Sequence, residues 1–105
     1  MTPEGRIKAM VDKGLSALSA RFPKKLRIRK PVLRGMGKQM LDYEMCINRQ
    51  YVAIETKRSP KHDLTPQQKI TRQELLDAGG IVFVVNNEET CTEALFAIER
   101  ILLED

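Results

Sequence analysis

The sequence predicts an α/β fold with the order α-β-β-β-α-β-α and a mixed central sheet flanked by helices, on three observations. Two segments of alternating apolar and polar residues, 41–47 and 51–58, are separated only by Asn48-Arg49, which reads as a β-hairpin. A helix start at Thr65-Pro66 and a stop at Gly79-Gly80 lead into the apolar run Ile81 to Val85, so strand, helix and strand form a crossover unit. The chain has 105 residues, 42% hydrophobic and 30% charged, the size and composition of one folded domain spanning residues 1–105.

The remaining elements follow in order. Thr2-Pro3-Glu4 is a helix start, with an N-cap hydroxyl, a proline at the first position and an acid near the positive dipole end. Ile7, Met10, Val11, Leu15 and Leu18 recur at helical spacing until Phe22-Pro23 closes the segment. Leu26 to Leu33 alternates weakly as a basic strand interrupted at Pro31, and Gly35 and Gly37 mark a turn. After the hairpin, residues 59–64 form a polar loop. Thr65-Pro66-Gln67-Gln68 carries a capping box, and its helix runs to Ala78. Ile81 to Val85 has the look of a strand buried on both faces. Asn86 or Asn87 caps a last helix whose apolar stripe is Ala94, Leu95, Ile98, Ile101 and Leu102.

Composition narrows the function. No unbroken apolar run exceeds five residues, and the N-terminus has no apolar signal-like region, which argues against membrane insertion and secretion. Cys46 and Cys91 sit in no CxxC or Cys/His pattern, so disulfide and zinc frameworks are not expected and a reducing, cytoplasmic setting is. The first 85 residues hold 17 bases against 8 acids, while residues 86–105 hold six acids and only Arg100. Arg21 to Lys38 contains eight bases and no acid. Such a stripe attracts polyanions, since each neutralised phosphate releases condensed counterions. It is otherwise a solvated basic strand. Phe22 is its one aromatic, so phosphate contact is favoured over base stacking.

The hairpin carries the chemistry. A two-residue turn places Cys46 opposite Tyr51, Asp42 opposite Glu55 and Met40 opposite Lys57. Leu41, Tyr43, Met45, Ile47, Val52 and Ile54 then share the core face, while Asp42, Glu44, Glu55 and Lys57 share the other. Opposed Cβ atoms lie about 5 Å apart, so two carboxylates converge beside an ammonium. Either this is a tolerated, solvated face with Lys57 as compensation, or it is a divalent metal site of the oxygen-rich kind that suits Mg²⁺. A three-residue loop would instead put Tyr43 opposite Glu55. Glu55-Thr56-Lys57 alone means little, because roughly one E-x-K triplet is expected by chance in such a chain.

Taken together, these motifs resemble the PD-(D/E)XK nuclease superfamily and, within it, the compact stand-alone virus-type replication-repair nuclease (VRR-NUC) domain of phages and bacteria. The resemblance rests on Glu4 in the first helix, Asp42 at the second strand, Tyr51-Val52-Ala53-Ile54-Glu55-Thr56-Lys57-Arg58, Leu64-Thr65-Pro66-Gln67-Gln68, and Ala78-Gly79-Gly80-Ile81-Val82-Phe83-Val84-Val85. It departs where Met40-Leu41 stand in place of the Gly and Pro that often precede the strand-two Asp. The resemblance implies a PD-(D/E)XK-like core and hydrolysis of phosphodiester bonds dependent on Mg²⁺ or Mn²⁺. Asp42, Glu55 and the Thr56 backbone carbonyl would hold the metal, and Glu4 would be a further ligand, directly or through water. Lys57 would orient the attacking water or stabilise developing charge, and Gln68 would position Lys57, water or phosphate. Glu4 has the alternative of serving the helix dipole, Gln68 of serving only its capping box, and His62 of being a solvated loop residue rather than a general base.

The expected substrate is branched DNA such as a four-way (Holliday) junction, contacted by Arg27, Arg29, Lys30, Arg34, Lys38 and Arg58. Paired cuts across a junction need two sites, so a homodimer is expected. Phe96, Ile101 and Leu103 on the last helix exceed what covering the sheet requires, which makes that helix the candidate contact. The alternatives are a flap or single-strand nuclease, or a nucleic-acid-binding module without catalysis.

Overall fold

The computed structural model describes residues 1–31 and 40–104 and has the predicted order: α1 (Pro3–Arg21), β1 (Leu26–Arg29), β2 (Tyr43–Ile47), β3 (Gln50–Thr56), α2 (Pro66–Asp77), β4 (Ile81–Val85) and α3 (Glu88–Leu102). The four strands form one sheet in sequence order. β1 runs antiparallel to β2 and β2 to β3, while β3 and β4 are parallel, as the α2 crossover requires.

The hairpin register is the predicted one, from Tyr43 opposite Ile54 to Ile47 opposite Gln50. Asn48 and Arg49 both take positive φ, 46° and 73°, the pair of left-handed residues that a two-residue turn needs to match strand twist. Asn48 Nδ2 donates to the carbonyls of Ile101 (2.8 Å) and Glu104 (2.9 Å). Lys25 Nζ donates to Leu102 O (3.1 Å). The hairpin tip and the turn before β1 thereby satisfy open carbonyls at the end of α3.

α1 and α3 pack on each other and on one face of the sheet. They bury Ile7, Val11, Leu15, Leu18, Ala94, Ile98 and Leu102 against Tyr43, Met45, Ile47, Val52 and Ile54. A Cβ on Gly14 would meet Leu95 Cδ1 at 2.2 Å, so the two helices approach through the missing side chain. α2 covers the other face over β4. It ends at Ala78, after which Gly79 takes φ +95° and the Gly79 and Gly80 amides close on Leu76 O and Leu75 O.

Three expectations are corrected. β1 stops at Arg29 rather than reaching Leu33, with Pro31 beyond its end and residues 32–39 outside the described residues. β4 is an edge strand among the described residues, and only Val85 is buried, since a short apolar run reads alike in a central and an edge position. The polar face of the hairpin is solvated only in part: Glu44 and Glu55 are buried, while the Cys46 and Tyr51 pair on the same face is exposed. No described helix is long and apolar enough to cross a membrane.

Candidate active site

The β2–β3 ladder ends at Tyr43–Ile54, and one residue further on the side chains take over from the backbone. Asp42 Oδ2 accepts from both the Thr56 N–H (2.9 Å) and the Thr56 hydroxyl (2.7 Å). In return Glu55 Oε1 accepts the Asp42 N–H at 3.0 Å. Each carboxylate thus terminates the other's strand, which fixes both at the open end of the hairpin.

Gln68 completes the enclosure. Its Oε1 accepts the Thr65 N–H (2.9 Å) while its own N–H donates to Thr65 Oγ1 (3.2 Å), the capping box read in the sequence. Its Nε2 donates to Glu55 Oε2 at 2.5 Å. Helix cap and site residue are therefore one side chain, and its partner is Glu55 rather than Lys57. The Lys57 N–H is held by Val85 O (2.9 Å), and Lys57 Nζ lies 3.9 Å from Glu55 Oε2.

Burial foremost, and then the charge of Asp42, push the Glu55 carboxyl up to about 7, with Glu4 adding to the rise and the Asp42 N–H and Lys57 opposing it. Glu55 is 3% exposed, so little water shields it. Two carboxylates at one strand end, one of them costly to ionise, form a donor set that fits a hard divalent cation. Among the described residues no three His, Cys, Asp or Glu side chains converge closely enough to hold a metal ion. Glu4 stands off from the pair, lining an open cleft of about 520 Å³ with Lys57, Arg58, Lys61, His62 and Asp63.

In that cleft Arg58 Nε donates to His62 Nε2 (2.7 Å), which leaves Nδ1 to donate to Ser59 Oγ (2.8 Å). With both ring nitrogens engaged, His62 braces the loop. Arg27 and Arg29 pair with Cys46 and Glu44 across the ladder, so they share the sheet face of Glu44 and Glu55, and both are exposed. Lys30 does not join them. Its Nζ pairs with Asp12 Oδ1 of α1 at 2.8 Å and lies over the Tyr43 ring, towards the opposite face. Arg34 and Lys38 lie outside the described residues.

Several polar residues near the site carry no motif. Glu44 is held by the Leu41 N–H (3.0 Å) and the Tyr51 hydroxyl, and burial raises its carboxyl pKa against the pull of Leu41 and Arg29. The Tyr43 hydroxyl donates to Asp12 Oδ1 (2.8 Å), and Lys8 Nζ approaches Asp42 Oδ1 at 3.9 Å. Glu4, Lys8 and Asp12 recur every four residues along α1, a polar stripe that the 3.6-residue period could have revealed.

The Thr56 bonds separate two Asp42 variants. Asp42→Asn keeps an oxygen for the Thr56 donors and relieves repulsion with Glu55, so in EDTA it should melt no lower than the wild type. Asp42→Ala orphans those donors and should cost about 1–3 kcal/mol. Thermal melts of both proteins check this.

No protein-family model and no curated protein matches the sequence. A solved structure described as a VRR_NUC domain matches with a TM-score of 0.74 at 21% identity, covering 91% of this chain and 97% of that one. The chain has the fold of that domain, with its four-stranded mixed sheet and three helices.

Proposed function

We propose that this chain, which carries the fold of a VRR_NUC domain, is a metal-dependent endonuclease that hydrolyses phosphodiester bonds in branched DNA, with cytoplasmic DNA as its target. The observation that carries this reading is the reciprocal lock of Asp42 and Glu55 at the open end of the hairpin, with Gln68 on Glu55 and the Lys57 ammonium beside it. A module that merely bound DNA would gain nothing from buried acids facing the phosphate backbone.

Asp42, Glu55 and the Thr56 carbonyl would hold Mg²⁺ or Mn²⁺, with Glu4 reaching in from the cleft mouth. When bound, such a cation neutralises phosphate charge and makes a water nucleophilic near neutral pH. The chain supplies the rest. Thr56 and Gln68 are positioning residues that fix the orientations of the two carboxylates. Lys57, anchored by its own backbone bond to β4, presents an ammonium that orients the water and stabilises charge growing on the phosphoryl oxygens. Arg27, Arg29 and Arg58 take flanking phosphates.

Paired cuts across a four-way junction require two sites. α3 offers a contact on which to pair them, since Phe96 (58%) and Leu103 (62%) are exposed there while Ile101 is drawn partly into the core. Duplex, flap, splayed-arm and four-way-junction DNA, each with Mg²⁺, Mn²⁺ or EDTA, test the function. Metal-dependent paired nicks in the junction are expected, together with a light-scattering mass of twice the 12.0 kDa chain. Cutting of flaps alone would shift the reading to a flap nuclease. No cutting of any substrate would leave only a binding module.

The split of the basic stripe changes the DNA-binding expectation. Neutralising Arg27 and Arg29 together should lower the log–log salt slope of junction binding by roughly 2, at about 0.9 per phosphate contact. Neutralising Lys30, already paired with Asp12, should lower it by less. Fluorescence anisotropy across a salt series makes the comparison.

A further inference from the structure

The two oxygens of Asp42 are unlike. Oδ2 takes both donors of Thr56, and both Glu55 oxygens are likewise engaged, by the Asp42 N–H and by Gln68. No hydrogen-bond donor reaches Asp42 Oδ1 among the described residues. It faces the Lys8 ammonium at 3.9 Å, on a side chain that is 44% exposed. A cation seated on the catalytic pair therefore meets a positive charge already in place.

Lys8 projects from α1 into a cleft of about 210 Å³ lined also by Asp12, Lys30, Pro31, Asp42 and Tyr43. Asp12 is already shared, since Lys30 and the Tyr43 hydroxyl both hold its Oδ1 and only Oδ2 is left to a third donor. Burial works to raise the Asp12 carboxyl, yet Lys30 and the Tyr43 hydroxyl, both bonded to Oδ1 at 2.8 Å, bring it below its ordinary value. The other acid on this stripe of α1, Glu4, lies in the Lys57–Arg58 cleft. Once a cation occupies Asp42, a single carboxylate, Asp12, is left in this cleft to Lys8 and Lys30, and the excess positive charge suits a phosphate.

Resting on the nuclease reading, we propose that this cleft is a subsite for a backbone phosphate flanking the scissile one, and that Lys8 is its metal-gated ligand. Lys8 neutralises Asp42 in the metal-free protein and turns onto the DNA backbone when a divalent cation takes its place. Metal loading and DNA affinity are then coupled through a single side chain.

Lys8→Gln tests the proposal without reading cleavage. Titration calorimetry with Mg²⁺ in the absence of DNA should show roughly two- to fivefold tighter metal binding than wild type, the weight of a half-exposed ion pair. Junction binding is then measured across a salt series in a Lys57→Ala background, with Mg²⁺ and with EDTA. Removing Lys8 should lower the log–log slope by about 0.9 with Mg²⁺ and leave it unchanged in EDTA. Lys8→Arg should restore the slope. Equal metal affinity for Lys8→Gln and wild type overturns the proposal. So does a slope change of the same size in both conditions, which would make Lys8 a constitutive contact, or no change in either, as would follow if a released Lys8 paired with Asp12 Oδ2 or Glu4. Failure of the nuclease reading itself would appear separately, as intact substrate with wild-type protein and Mg²⁺.

Discussion

Lys57→Ala is expected to lower the rate of junction cleavage by at least about a hundredfold, the usual cost of removing one charge-stabilising group at a reacting phosphate or carbonyl. Glu55→Ala should do the same by removing a proposed metal ligand. Binding of the same junction should hardly change in either variant, because the proposed phosphate contacts are the exposed arginines and Lys57 lies beside Glu55 within the site. Single-turnover cleavage and anisotropy on the same substrate separate the two effects. Wild-type cleavage by Lys57→Ala would remove the basis of the catalytic assignment.

A second large effect concerns stability without metal. Glu55 has an ordinary carboxyl pKa of 4.5, raised to about 7 in the fold. The folded state therefore holds this proton more tightly than the unfolded chain does. The contribution of Glu55 is fully favourable below pH 4.5, declines as pH rises towards 7, and is flat above. The loss amounts to about 3 kcal/mol, at 1.36 kcal/mol per pH unit. For a chain of this size that is a fall of roughly 10 °C or more in melting temperature. Melts in EDTA from pH 4.5 to 7.5 should show it. Asp42→Asn should make the slope shallower by removing a like charge, and Mg²⁺ at pH 7.5 should recover most of the loss. A wild-type melting temperature that does not fall over this range in EDTA would contradict the burial of an ionised Glu55.

Some of this site was legible in the sequence, and the division has physical reasons. A two-residue turn and strict alternation determine which residues face one another, so the Asp42–Glu55 juxtaposition could be read from parity alone. Parity also placed Glu44 on that face, but it does not report what covers a face. The Tyr51 hydroxyl and the Leu41 N–H that make Glu44 tolerable there come from elsewhere on the hairpin. For a related reason it is not legible that Lys30 sits on the other face from Arg27 and Arg29. It stands next to two exposed arginines in the chain, yet β1 ends before it and its partner Asp12 lies on a helix 18 positions earlier. The helical period groups Lys8 and Asp12 with Glu4 on one polar stripe of α1, but it does not report that Asp42 and Lys30 pack against that stripe. Gln68 reads in the sequence as either a cap or a site residue. An amide has both an acceptor and a donor end, and the fold uses one for each.

That double use narrows what residue 68 can become. A capping box accepts glutamate as readily as glutamine, so by the standards of helix α2 the exchange Gln68→Glu is conservative. At the other end of the side chain it would set a third acid against a carboxyl that is already reluctant to ionise. The exchange would therefore take the Gln68 donor from Glu55 and add a like charge beside it. Both stability near neutral pH and cutting would favour glutamine, although the helix start favours neither. Position 68 is a place where a tolerant local rule conceals an intolerant distant one, and substitution tables built on helix starts would misjudge it.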